Sequence, residues 1–144
     1  MSFSSILNRI MMTLAFVVYI TSNAVAHEVK AGPNGGPITD LGEIHLELVM
    51  KAQKIDLFVT DTKGDPVDVS AASANLIILA GTKKHATKLA PVADSVLGNT
   101  FAVPDAGPYT VVVIVTIPGK KPYQGRFKVS ALLAFQAIQS KTSV

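Results

Sequence analysis

From Glu43 onward, polar and apolar residues alternate in short runs parted by turn residues. That is the period-two signature of half-buried β-strands. In Glu43 to Met50, Ile44, Leu46, Leu48 and Met50 share one face. Glu43, His45, Glu47 and Val49 share the other. Lys54 to Thr60 alternates again, with Ile55, Leu57 and Val59 facing one way, and the two runs are close enough to form a hairpin. Asn75 to Ala80 is a short apolar strand, and Gly81-Thr82-Lys83 turns it towards a partner at His85 to Leu89. Val96 to Val103 reads as a further strand. Pro108 to Ile117 is rich in β-branched residues and is expected to be central and buried on both faces. Tyr123 to Val129 returns, with a bulge expected at Gly125. Ser130 to Ile138 fits a helical tail or an extended edge equally.

Turn chemistry punctuates these runs. Asp61-Thr62-Lys63-Gly64-Asp65-Pro66 is a turn cluster, because Gly64 accepts positive φ and Pro66 has no N–H for a ladder. About seven short strands, with turn signals about every 8–12 residues, predict an all-β sandwich or barrel. Asp105, Gly107 and Tyr109 sharpen this to an immunoglobulin-like β-sandwich. They stand at alternate positions just before a buried strand, where such domains place a tyrosine whose hydroxyl ties the corner to upstream backbone.

The chain's start has a different character. Arg9, the apolar run Ile10 to Ile20, the polar Thr21-Ser22-Asn23 and the small-residue site Ala24-Val25-Ala26 follow the order of a secretory signal peptide. The run is shorter than the roughly 20 apolar residues of a spanning helix. Residues 1–26 are therefore expected to be removed on export to the periplasm, leaving no membrane anchor. Residues 27–41 form a Gly/Pro-rich N-terminal arm, 42–130 the sandwich domain and 131–144 a C-terminal tail. A second cut, after Ala24, also satisfies the small-residue rule.

Composition narrows the chemistry. The chain holds no cysteine, which excludes disulfides, thiolate metal sites, thiol redox chemistry and a lipid-anchored cysteine. The net charge is only +3, and the lysine pairs Lys83-Lys84 and Lys120-Lys121 flank turns, so no nucleic-acid partner is expected. Gly32 to Pro37 lacks the Lys-Ser/Thr ending of a phosphate loop. No nucleophile–base–acid set, G-x-S-x-G elbow or H-E-x-x-H helix is present, so the chain is not expected to be an enzyme.

Trimming after Ala26 would make His27 the first residue. Its free amine and its ring would then close a chelate on a divalent metal, since a terminal amine titrates at about 7.7–8.0 and a metal displaces its proton near neutrality. The alternative cut puts His27 third, again a square-planar Cu(II) or Ni(II) arrangement. His45 is the expected second imidazole, and Glu43 or Glu47 the oxygen ligand or the acceptor that orients a ring. Nitrogen donors of this kind suit Cu(II), with Zn(II) and Ni(II) as alternatives. His85, beside Lys83 and Lys84, is expected to be a solvated histidine.

The stretch HEVKAGPNGGPITDLGEIHLELV, followed by KIDLFVTDTKGDPVD, resembles small periplasmic β-rich proteins associated with heavy-metal (RND-type) efflux systems, and segments of their adaptor subunits. The matching features are the histidine ahead of Gly32-Pro33-Asn34-Gly35-Gly36, His45, and the turn from Asp61 to Val67. The resemblance implies a metal-handling or pump-accessory role, with an efflux assembly or its adaptor as partner. Relatives often carry a histidine where this chain has Thr62. A non-metal module docking on an envelope protein through a β-edge is the rival expectation.

Overall fold

A computed structural model describes residues 30–51, 53–102 and 108–130. Eight strands and no helix occur among them: β1 (Ile38–Asp40), β2 (Ile44–Lys51), β3 (Lys54–Asp61), β4 (Ser73–Ala80), β5 (Lys83–Ala93), β6 (Val96–Thr100), β7 (Tyr109–Thr116) and β8 (Tyr123–Val129). Every pairing is antiparallel, in the order β1-β2-β3-β6-β5-β4-β7-β8.

The alternation read from the sequence sets the register. Leu46 stands opposite Val59 and Leu48 opposite Leu57. On the other side of the core Leu76 faces Val113 and Ile78 faces Val111. All eight side chains are fully buried, in one continuous apolar core. Each contributes about 1.5–3 kcal/mol through removal from water. One-residue slippage would turn such a row out into solvent, so the register is strongly specified.

β5 joins the two halves of the sheet. Lys83 to Leu89 pairs with β4, and Ala90 to Ala93 pairs with β6, with a register shift between Pro91 and Ala93. Pro91 has no N–H to donate and fits this irregular position.

The two ends of the strand order meet without forming a ladder. The Thr39 hydroxyl on β1 donates to the Arg126 carbonyl on β8 at 3.0 Å. Gly125 is the reason β1 can come so close. A Cβ there would lie 3.2 Å from Thr39 Cγ2 and 3.5 Å from Leu41 Cδ2. The sheet is thereby nearly closed.

Several expectations are corrected. Gly125 forms no bulge: the β7–β8 register runs unbroken from Tyr109↔Val129 to Val115↔Tyr123. Its missing side chain makes room for β1 instead. The strand at Val96 ends at Thr100. β7 is central but fully buried on one face only, since Thr110, Val112 and Ile114 are half-buried. An eighth strand, β1, lies within the segment expected as an arm. The expected leader, His27, the corner residues Asp105 and Gly107, and the tail beyond Ser130 lie outside the described residues.

Candidate functional site

The arm is built on hydrogen bonds. Gly32 N–H donates to Gly36 O at 2.7 Å, and Gly35 N–H to Gly32 O at 3.0 Å. Ile38 N–H donates to Lys30 O at 3.1 Å, and Leu48 N–H to Pro37 O at 3.1 Å. The chain therefore doubles back over β2, and Lys30 is held beside Ile38.

Glu47 is the anchor of this loop. Its carboxylate accepts the Asn34 backbone N–H and side-chain Nδ2–H, each at 2.8 Å, and the Gly36 N–H at 3.0 Å. Glu47 is only 5% exposed. Strand alternation puts it on the outer face with His45, which is half-exposed; the folded-back arm is what covers it. Both carboxylate oxygens are engaged by the arm.

His45 is placed by two neighbours in register, Asp40 on β1 and Thr60 on β3. Its Nε2 lies 3.5 Å from Asp40 Oδ2. Asp40 is itself oriented, because its Oδ1 accepts the Gly42 N–H at 2.8 Å. Gly42 takes φ +86°, which lets the chain reverse directly from β1 into β2. His45, though not Asp40, lines a groove of ≈ 320 Å³ together with Pro33, Ile38, Phe58, Thr60 and Pro66. The walls are mainly apolar, and the imidazole and the Thr60 hydroxyl are among its polar groups.

Glu43 is directed elsewhere. Tyr123 donates its hydroxyl to Glu43 Oε2 at 2.7 Å, and Lys120 Nζ lies 3.8 Å from the same oxygen. The Glu43 carboxylate beside the Tyr123 hydroxyl raises the tyrosine pKa above its ordinary value of 10.0. Glu43 thus ties the start of β2 to the β7–β8 turn, beside the seam between β1 and β8.

The turn after β3 forms one wall of the groove. Asp61 Oδ1 accepts the Lys63 N–H at 2.8 Å and the Asp65 N–H at 2.9 Å. Backbone donation from Asp65 and then Lys63 holds the Asp61 carboxyl below its ordinary value of 3.8. Asp68 is lowered in the same way by the Ser70 N–H and the Ser70 side chain.

His85 departs from expectation. It is half-buried, its ring meets Phe101 edge-on with centroids 6.5 Å apart, and Nε2 is enclosed without a hydrogen-bond partner. It lies on β5, outside the groove. Tyr109, 3% exposed, opens β7 opposite Ala80 and Val129.

Among the described residues no three His, Asp or Glu side chains gather into a metal-ligand set. The fold supplies two donors together, His45 and Asp40. Asp40 was missed in the sequence because its role depends on the β1–β2 pairing. The available signal was the Asp40-Leu41-Gly42 turn. Asn34, the arm's contact with Glu47, carried no local signal. Among the described residues no helix is long and apolar enough to cross a membrane. No family model, curated protein or solved structure matches this chain.

Proposed function

We propose that the chain is an exported, immunoglobulin-like domain that binds a divalent transition metal, Cu(II) foremost, at the β1–β2 edge. His45 and Asp40 are the donors from the sheet. His27, freed as a chain terminus by export, supplies amine and imidazole.

The observation that carries this reading is the fixed position of Lys30 beside Ile38, two residues along β1 from Asp40. Three residues span at most about 10 Å, and two steps along a strand cover roughly 7 Å. The segment from His27 to Lys30 is therefore long enough to bring terminal donors to the His45–Asp40 pair. Two imidazoles, an amine and a carboxylate suit Cu(II). Because the nitrogen donors must be deprotonated, affinity falls on acidification. A site completed by a chain end favours exchange over permanent storage, which fits an accessory of a heavy-metal efflux assembly.

The sandwich reading has its own support. The order β2-β3-β6-β5 beside β4-β7-β8 corresponds to A-B-E-D beside C-F-G of constant-type immunoglobulin domains. Tyr109 then opens the strand equivalent to F, where the corner with Asp105 and Gly107 belongs.

The test is a Cu(II) titration of metal-free exported protein, followed by d–d absorption. The His27→Ala, His45→Ala double variant loses binding, and Asp40→Asn weakens it. Unchanged affinity in the double variant overturns the assignment. Intact mass of the exported protein reports its first residue.

One observation favours a second reading, docking through a β-edge. Among the described residues no strand pairs with the outer side of Lys83 to Leu89; the Asn99 side chain covers Lys88 O at 2.9 Å. Lys83, Lys84 and Lys88 make this edge basic, which suits an acidic partner strand. Pull-down that is indifferent to chelator and to both histidines favours this alternative.

A further inference from the structure

We propose that Asn34-Gly35 is a deamidation site and a one-way latch: intact Asn34 holds the arm on Glu47, and its conversion to aspartate or isoaspartate sets the arm free. The latch is independent of both the metal and the β-edge readings.

Asn34-Gly35 is the one Asn-Gly step in the chain. Asparagine is thermolabile, and Gly35 has no side chain to shield its backbone nitrogen. That nitrogen attacks Asn34 Cγ, the Cγ–Nδ2 bond breaks, and Nδ2 leaves as ammonia with the Gly35 amide proton. Water then opens the succinimide at one of its two carbonyls. Opening at Cγ gives aspartate; opening at the Asn34 backbone carbonyl gives isoaspartate. Either product carries a new carboxylate, whose proton passes to solvent.

The folded loop withholds both reacting groups. Gly35 N–H donates to Gly32 O at 3.0 Å. Asn34 Nδ2–H donates to Glu47 Oε2, and its backbone N–H to Oε1, each at 2.8 Å. Attack therefore waits on local opening, and its rate follows the open population. Glu47 keeps the loop shut because its buried carboxylate needs these donors in place of lost hydration.

The product does not fit the seat. It puts a carboxylate oxygen where Nδ2 stood, against Glu47 Oε2. Two carboxylates about 3 Å apart cannot both ionise. Gly32 packs so closely on the Glu47 carboxyl that a Cβ would overlap it, so the two charges have no room to draw apart in the closed loop. Isoaspartate also adds a backbone carbon between Gly32 and Gly36, whose 2.7 Å bond closes the loop. Release has an output. Pro33 and Asn34 line the groove beside His45. Once the arm leaves, the groove loses that wall, and the Glu47 carboxylate returns to water on the same face of β2 as His45.

The experiment follows deamidation of the purified protein at mildly alkaline pH by peptide-resolved mass spectrometry, in wild type and Glu47→Ala. Hydrogen exchange at the Gly36 and Ile38 amides is read in Asn34→Asp and in the Asn34→Asp, Glu47→Gln double variant. Glu47→Ala deamidates at Asn34 about tenfold faster or more, equivalent to opening made easier by about 1.4 kcal/mol. Glu47→Gln, which keeps one acceptor oxygen, lies between the two and serves if Glu47→Ala does not fold. Asn34→Asp loses protection at Gly36 and Ile38, while the core amides of β4 and β7 keep theirs. The double variant, which returns an amide donor to the pair from the other side, regains part of that protection. If Asn34→Asp does not fold, the deamidated fraction separated from aged wild type gives the same reading.

Equal Asn34 deamidation rates in wild type and the Glu47 variants overturn the restraint by Glu47. Full protection at Gly36 and Ile38 in Asn34→Asp, or in the deamidated fraction, overturns the latch. Protection lost in Asn34→Asp and not regained in the double variant overturns charge repulsion as its cause.

Discussion

Glu47 accepts both N–H groups of Asn34, backbone and side chain, each at 2.8 Å, across 13 residues of chain. This contact turns an outward-facing strand residue into a buried one. It also converts a Gly/Pro-rich segment into an ordered loop over β2, beside the groove that holds His45.

The close approach of Gly36 to the Leu48 carbonyl makes Gly36→Ala a direct probe of that loop. The added methyl meets backbone, which cannot swing aside. The variant is expected to lose about 1–3 kcal/mol, as overpacked sites do. Thermal or urea unfolding measures the loss, and amide exchange localises it to Asn34 and Ile38.

The seam between β1 and β8 depends on Gly125. A Cβ there already stands 3.2 Å from Thr39 Cγ2 and 3.4 Å from Val113 Cγ1. Gly125→Val pushes β1 away and breaks the Thr39 bond to the Arg126 carbonyl. Faster exchange at the β1 amides, with β4 and β7 unaffected, is the expected signature. Thr39→Val, which keeps the shape and removes the donor, is expected to cost about 1 kcal/mol.

Stability should fall in acid through Asp61 and Asp68. Both carboxyls are lowered from 3.8 by backbone N–H donors in the folded protein. A group whose folded pKa is depressed contributes stability above its unfolded value and loses it as pH drops through the folded one. The loss therefore lies below pH 3.8. Asp61→Asn is expected to flatten that limb of a stability-against-pH curve from urea unfolding, and to leave the neutral limb's slope unchanged.

An alkaline limb should come from Tyr123. Its pKa is raised from 10.0 because its hydroxyl donates to Glu43. A group whose folded pKa is raised contributes stability below its unfolded value and loses it as pH climbs through the folded one. Tyr123→Phe is expected to remove this dependence above pH 10.0, and Glu43→Gln to reduce it. Spectrophotometric titration of the phenol near 295 nm, an approximate band position for tyrosinate, checks the direction of the shift.

Much of the strand content was legible because it is local. The rows Ile44-Leu46-Leu48 and Ile55-Leu57-Val59 alternate in the sequence, and a strand exposes alternate residues to opposite faces whatever lies beside it. The Asp61 turn was legible for the same reason, since its donors and acceptor lie within four residues. Long-range partners leave no such trace. Thr39 meets Arg126 across 87 residues and Tyr123 meets Glu43 across 80, and neither pair belongs to a periodic pattern. Glu43, His45 and Glu47 look equivalent along the chain. Folding separates them: Glu43 is drawn to Tyr123, His45 lines the groove and pairs with Asp40, and Glu47 disappears under the arm. Periodicity tells which face a residue occupies; what covers that face is decided by segments arriving from elsewhere in the chain.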